Sequence, residues 1–346
     1  MKNQSRSTHR PTAGSYVELF FAAIVMQILY FVTAIWSGSG GSEFYNSNTE
    51  EIHFALRIQL SLGWMMCIVA GLGFSILPLI YDLIAFEKTS MRTYVSLNIS
   101  GQFAIMIGVV SGIIMNDLQI FQTLVTVGIS LLCASLISLG PSAISIFKIK
   151  EPKKHELGPF TYSIGSLMPL LGTITISCWI LRGRIERILK LSESIIFDFF
   201  LVLTVVTIII SHFNRRLNWN IIETKNLGKI FGTFTALLFV SVICEPLYYR
   251  DEISVRVFAV LVSAPFFFIF VMLNPVKLFK SVIQKKPHQK MILCAVLWMP
   301  VVGFTTFIET MGYVAIEWDS MPPSRLILIF GVIFQSLWGF AEYLHQ

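Results

Sequence analysis

One carboxylate stands away from the ends of a long apolar segment: Glu309, between Met291 and Trp318. An ionisable group at such a depth costs about 2–3 kcal/mol on insertion scales, so it must face protein or water. Its chemistry is that of a proton or cation site, or of an ion pair that joins two helices. Arg57, near the start of an earlier apolar run, is a candidate partner, although an arginine there can also snorkel to the headgroups. Glu245 and Asp198 fall at similar depth on the same side, and Thr305 and Thr306 precede Glu309 on its own segment. These six residues outline an ion or solute pathway, a polar cavity that opens outward. The competing expectation is that each charge pairs once and only fixes helix packing.

The same segment carries Met299-Pro300-Val301-Val302-Gly303, echoed upstream by Met168-Pro169-Leu170-Leu171-Gly172. Proline removes an amide donor and kinks a helix. Pro169 with Gly172, and Pro300 with Gly303, are therefore candidate helix breaks that expose backbone carbonyls to a cation or substrate. Packing kinks are the commoner use of such residues.

The elements that position these groups are membrane helices. Of 346 residues, 55% are hydrophobic and 13% are charged, against about 25% charged in a typical globular domain. Ten apolar runs recur, at 16–36, 55–82, 94–116, 119–147, 159–181, 194–213, 228–248, 254–274, 290–317 and 324–343. They are continuous, not alternating, and most are near the ~20 residues that a spanning helix needs. The expected fold is an all-α integral membrane bundle of about ten transmembrane helices.

Lysine and arginine set its orientation. With the N-terminus inside, inner segments hold 18 of these residues and outer loops hold 7, with Arg57 inside the second run. The expectation is a multi-pass protein of the cell membrane with cytoplasmic N- and C-termini. One outer segment resists: Arg182, Arg184, Arg187 and Lys190 suit a short amphipathic interfacial helix or mark a miscounted span. The outer stretch Ser37–Glu51, rich in Gly and Ser, reads as a flexible surface loop.

The Met-Pro echo belongs to a wider pattern. Met168 and Met299 stand 131 residues apart, as do Gly101 and Gly232, Val109 and Val240, and Thr175 and Thr306. Phe147 and Phe279 stand 132 apart, and each is followed by a basic, histidine-bearing loop. This predicts a parallel duplication of a four-helix unit. Repeat 1 is 55–190 and repeat 2 is 191–318, with 16–54 (first span and outer loop) and 319–346 (last span) outside them. The position matching Glu309 is Cys178, so any acidic site belongs to one half.

Other chemistry finds little purchase. The five cysteines lie inside apolar runs with no C-x-x-C spacing, which suits core packing. The histidines sit at span ends, in tails or in loops, so paired deep haem ligands are not expected. No catalytic or nucleotide-binding motif stands in a fitting context, and an enzyme is the least favoured reading. No cofactor, metal or nucleic acid is expected. The partners are the lipid bilayer, a small ion or polar solute, and a membrane protein partner. Function is expected to be of transporter or permease type, with a non-catalytic membrane subunit or receptor-like scaffold as the alternative.

Overall fold

The structure is a computed structural model that describes residues 14–39, 43–68, 88–147, 168–181, 191, 194–211, 224–244, 252–282, 286–312 and 322–345. These residues form helices and turns, with no strand among them. In chain order the helices are α1 (Gly14–Ser39), α2 (Glu43–Ser47), α3 (Thr49–Ile58), α4 (Lys88–Met115) and α5 (Leu118–Phe147). Next come α6 (Met168–Leu181), α7 (Val202–Ser211), α8 (Thr224–Cys244), α9 (Glu252–Met272) and α10 (Pro275–Val282). The last are α11 (Pro287–Thr310), α12 (Pro323–Ile327) and α13 (Gln335–His345). Three π-helical segments interrupt this series: π1 (Gln59–Met65), π2 (Ile195–Leu201) and π3 (Leu328–Phe334).

Seven helices among the described residues are long and apolar enough to cross a membrane, and two shorter apolar helices, Leu170–Leu181 and Ile195–Ile210, accompany them. Their outer faces support the membrane reading. Phe21, Ile35, Ile180, Ile253 and Val271 are each more than 60% exposed. So wide an apolar surface is a liability in water and the normal face of a protein in lipid. The chain is an all-α, polytopic membrane protein.

The bundle has an inner and an outer set of helices. Every residue from Phe199 to Ile210 is buried, so the helix formed by π2 and α7 is covered on all sides from Phe199 onward. A helix apolar all round belongs in such a place. Leu201 and Ile209 sit there without measurable exposure. Trp64 of π1 meets Phe334 of π3 with ring centroids 6.2 Å apart, and π1 also touches π2. The three π segments thus lie next to one another. Around them α4 packs on α5 and α5 on α6, while α8 packs on α9 and α9 on α11.

The α4–α5 hairpin shows how sequence dictates this packing. Asn116 adopts a left-handed φ of 51° and ends α4. Asp117 then caps α5, its Oδ1 accepting from the amides of Gln119 (2.8 Å) and Ile120 (3.1 Å). Small residues let the two backbones approach closely. A Cβ on Gly101 would stand 2.8 Å from the Gly128 carbonyl oxygen, and one on Gly128 would stand 2.7 Å from that of Gly101.

Polar side chains lock π1 to α4. Gln59 Nε2 donates to the Gln102 carbonyl at 3.1 Å, and Gln102 Nε2 donates back to the Gln59 carbonyl at 2.8 Å. One turn away, Asn98 Nδ2 donates to the Leu62 carbonyl at 3.0 Å. A π turn disturbs the regular i to i−4 ladder, and side-chain amides satisfy the carbonyls it exposes. The Gln102 carboxamide fits only because residue 63 is glycine, since a Cβ there would fall on it.

Two sequence expectations change here. The stretch Ser37–Glu51 is not a plain loop: α1 continues to Ser39, and α2 and the start of α3 occupy Glu43 onward. Asn48 and Thr49 bond back to the carbonyls of Phe44 and Tyr45 at 3.0 and 2.8 Å. Phe44 inserts beneath, edge-on to Phe121 at 5.8 Å. Loop-forming composition is overridden by one buried aromatic. Phe44→Ala should therefore cost about 2–4 kcal/mol, read as a lower thermal unfolding midpoint in detergent. Phe21→Ala, on a lipid-facing side chain, is the control that should leave the midpoint in place.

The second change concerns the Pro/Gly breaks. α11 runs without interruption through Pro300 and Gly303, and α6 is helical across Pro169 and Gly172. The glycines serve close packing instead. A Cβ on Gly172 would lie 3.2 Å from the Cys133 carbonyl, and one on Gly303 would lie 3.1 Å from the Phe267 ring. The basic segment 182–190 lies outside the described residues.

Candidate functional site

The charged residues at depth meet where α11, α12 and π2 come together. α11 ends in a tight reversal, with Gly312 at φ +75° and its amide donating to the Glu309 carbonyl at 3.0 Å. Glycine, with no Cβ, adopts that conformation without strain. The next described helix, α12, starts with Pro323 at its first position, where a missing amide hydrogen costs nothing. Its N-cap, Pro322, has no side chain that can accept from the free amides of the first turn.

Glu309 takes that role from the neighbouring helix. Its Oε1 accepts from the Ser324 amide at 2.7 Å and its Oε2 accepts from the Ser324 hydroxyl at 2.5 Å. The carboxylate is 9% exposed. It sits against the positive end of the helix that α12 begins, where an anion is favoured. Glu309 is therefore a tertiary helix cap.

Arg325, the next residue, faces the other way. Its Nη2 donates to Asp198 Oδ2 at 3.0 Å and to Ser194 Oγ at 2.8 Å. The guanidinium carbon stands 5.8 Å from the centroid of Phe197. The Arg325 side chain is 9% exposed and that of Asp198 is 28% exposed. The pair is thus sealed on the arginine side and reachable on the aspartate side. Glu309 lies within electrostatic range of both members, so two acids and one base share this corner.

The expected site residues fall as follows. Glu309 and Asp198 do come together, bridged by Ser324 and Arg325. Arg57 is half-buried in the last turn of α3 and is not the partner of Glu309, whose oxygens are both held by Ser324. Thr305 and Thr306 turn their hydroxyls to their own helix, donating to Val301 and Val302 carbonyls at 2.8 Å each. Glu245 lies outside the described residues.

Sequence reasoning missed Arg325 and Ser324, which it placed in an outer loop and at a span boundary. The signal was present: Pro322-Pro323-Ser324 marks a helix start, which puts Arg325 inside the helix. It also missed the amide clamp. Tyr94, Asn98 and Gln102 recur every four residues, a stripe of hydrogen-bonding side chains on one face of α4. His288, expected in a loop, lies in the first turn of α11 and is buried. Three cysteines are buried, whereas Cys294 faces outward among the lipid-facing residues. No group of three or more metal-binding side chains occurs among the described residues.

Comparison with known protein families, with curated proteins and with solved structures gave no match.

Proposed function

We propose that this chain is a transporter-like or permease-like membrane protein whose polar station is the Glu309–Ser324–Arg325–Asp198 corner. The observation that supports the reading is the uneven access to the ion pair. Asp198 is 28% exposed while Arg325 is 9% exposed, so an incoming cation can approach the aspartate and compete with the arginine. Such an exchange frees Arg325 and Ser324 to move relative to Glu309. Ionisable groups inside a membrane bundle commonly mark ion or substrate paths.

The test is solute or proton-coupled flux in proteoliposomes. Glu309→Gln keeps an acceptor for the Ser324 amide but removes the charge. It is expected to abolish cation-coupled or proton-coupled flux while the protein remains folded. Undiminished flux in that variant removes Glu309 from the mechanism.

A second reading has its own support. Each charged group of the corner already has protein partners, as a helix-fixing network in a non-catalytic subunit or receptor-like scaffold would. Co-purification of a stoichiometric membrane partner, together with no flux for any tested solute, favours this alternative.

The finer architecture belongs to the same proposal: ten spans, both termini cytoplasmic in the cell membrane, and a parallel repeat of four helices. The order of elements supports the repeat. π1 precedes the sequentially packed α4, α5 and α6, π2 precedes the sequentially packed α8, α9 and α11, and π3 follows. Matched residues have diverged in setting, since Gly101 packs against Gly128 whereas Gly232 meets open space. Orientation is testable at two exposed turn residues. Asn116→Cys should react with an impermeant maleimide on intact cells, and Asn274→Cys only after permeabilisation. The reverse pattern overturns the orientation.

A further inference from the structure

We propose that the junction of π1 and α4 holds a small monovalent cation, coordinated by neutral amide oxygens within the membrane. Gln59, Asn98 and Gln102 are completely buried. Their orientation is fixed by chemistry. Each NH2 group donates to a backbone carbonyl: Gln59 to Gln102, Gln102 to Gln59 and Asn98 to Leu62. Rotating any of these amides by 180° would set oxygen against oxygen, so the assignment follows from the partners.

That orientation leaves Gln59 Oε1, Asn98 Oδ1 and Gln102 Oε1 buried with no donor among the described residues. Three orphaned acceptors on side chains that bond across one helix contact are unusual, because buried polar groups are nearly always paired. Asn98 and Gln102 lie one turn apart on the same face of α4 and both reach π1. The ligand that relieves them must bring positive charge. The amide side chains here carry no formal charge, so a divalent ion would lack compensation. Dipoles of neutral oxygens suit a monovalent alkali ion, as in carbonyl-lined filters. The inference rests on the membrane placement of α4 and not on the outer corner around Glu309.

The experiment uses the purified full chain in lipid nanodiscs. Thermal unfolding is followed in lithium, sodium, potassium and choline chloride at equal ionic strength, and radioactive sodium and rubidium binding is measured at equilibrium. One alkali ion should raise the unfolding midpoint saturably over choline and should bind at one per chain. Gln102→Leu and Asn98→Leu should lose both responses. Asn98→Ser removes Oδ1 with less disturbance of packing, and serves where the leucine variants do not fold.

Equal midpoints in all four salts with no bound ion overturn the proposal and leave the amides as helix glue. A cation response that survives Asn98→Ser undiminished places the ion elsewhere and overturns it as well. A flux defect in Glu309→Gln with the cation response intact bears on the outer corner alone.

Discussion

Gly63→Ala is expected to destabilise the bundle by about 2–4 kcal/mol, far more than a methyl group normally does on a helix. The new Cβ would fall on the Gln102 carboxamide, which rests against the Gly63 backbone. That side chain must leave, and its bond to the Gln59 carbonyl breaks with it. Both residues are fully buried, so the Gln102 carboxamide and the Gln59 carbonyl lose each other without gaining water. Gln102→Ala should cost less, because it removes that one bond without a clash. The double variant Gly63→Ala/Gln102→Ala should be little worse than Gln102→Ala alone, since the methyl then fills vacated space. A thermal-unfolding double-mutant cycle in detergent measures this coupling. Additive losses would show that the Gly63 contact is not the reason for the glycine.

Glu309→Leu is expected to cost about 3 kcal/mol, because it leaves the Ser324 amide and hydroxyl buried without an acceptor. Glu309→Gln should cost about 1 kcal/mol, since its carbonyl oxygen still accepts from the amide. Arg325→Leu should fall with the first. It strands Asp198, and losing one member of a largely buried pair destabilises strongly. The Asp198→Asn/Arg325→Leu double variant should regain part of that loss, because no charge is then left unpaired. Thermal midpoints of the four variants, measured in the same nanodiscs, decide this. Equal losses for Glu309→Leu and Glu309→Gln would mean that Glu309 does not cap α12.

Much of the fold was legible in the chain because lipid reads average apolarity. Continuous runs without charge leave only helices as a way to satisfy the backbone. The α4–α5 hairpin follows from Asn116, Asp117 and the glycines on its two helices. The presence of acids at depth was legible too, since Glu309 and Asp198 stand out against their apolar neighbours.

Their partners were not. Which base meets which acid depends on helix neighbours, and hydropathy says nothing about neighbours. Arg57 was a candidate partner of Glu309 or Glu245, beside a snorkelling role, because all are charged and at similar depth. Tertiary structure instead places Ser324 on Glu309 and Arg325 on Asp198, because α12 starts beside the end of α11 and against π2. The same holds for the prolines, whose effect is decided by packing: α11 continues through Pro300. The π segments have no composition of their own, and only contact between helices reveals them. Sequence alone thus determined that helices in a membrane carry buried polar groups. Tertiary structure decided which of those groups touch, since hydrogen bonds and ion pairs act over a few ångströms between residues up to 131 positions apart.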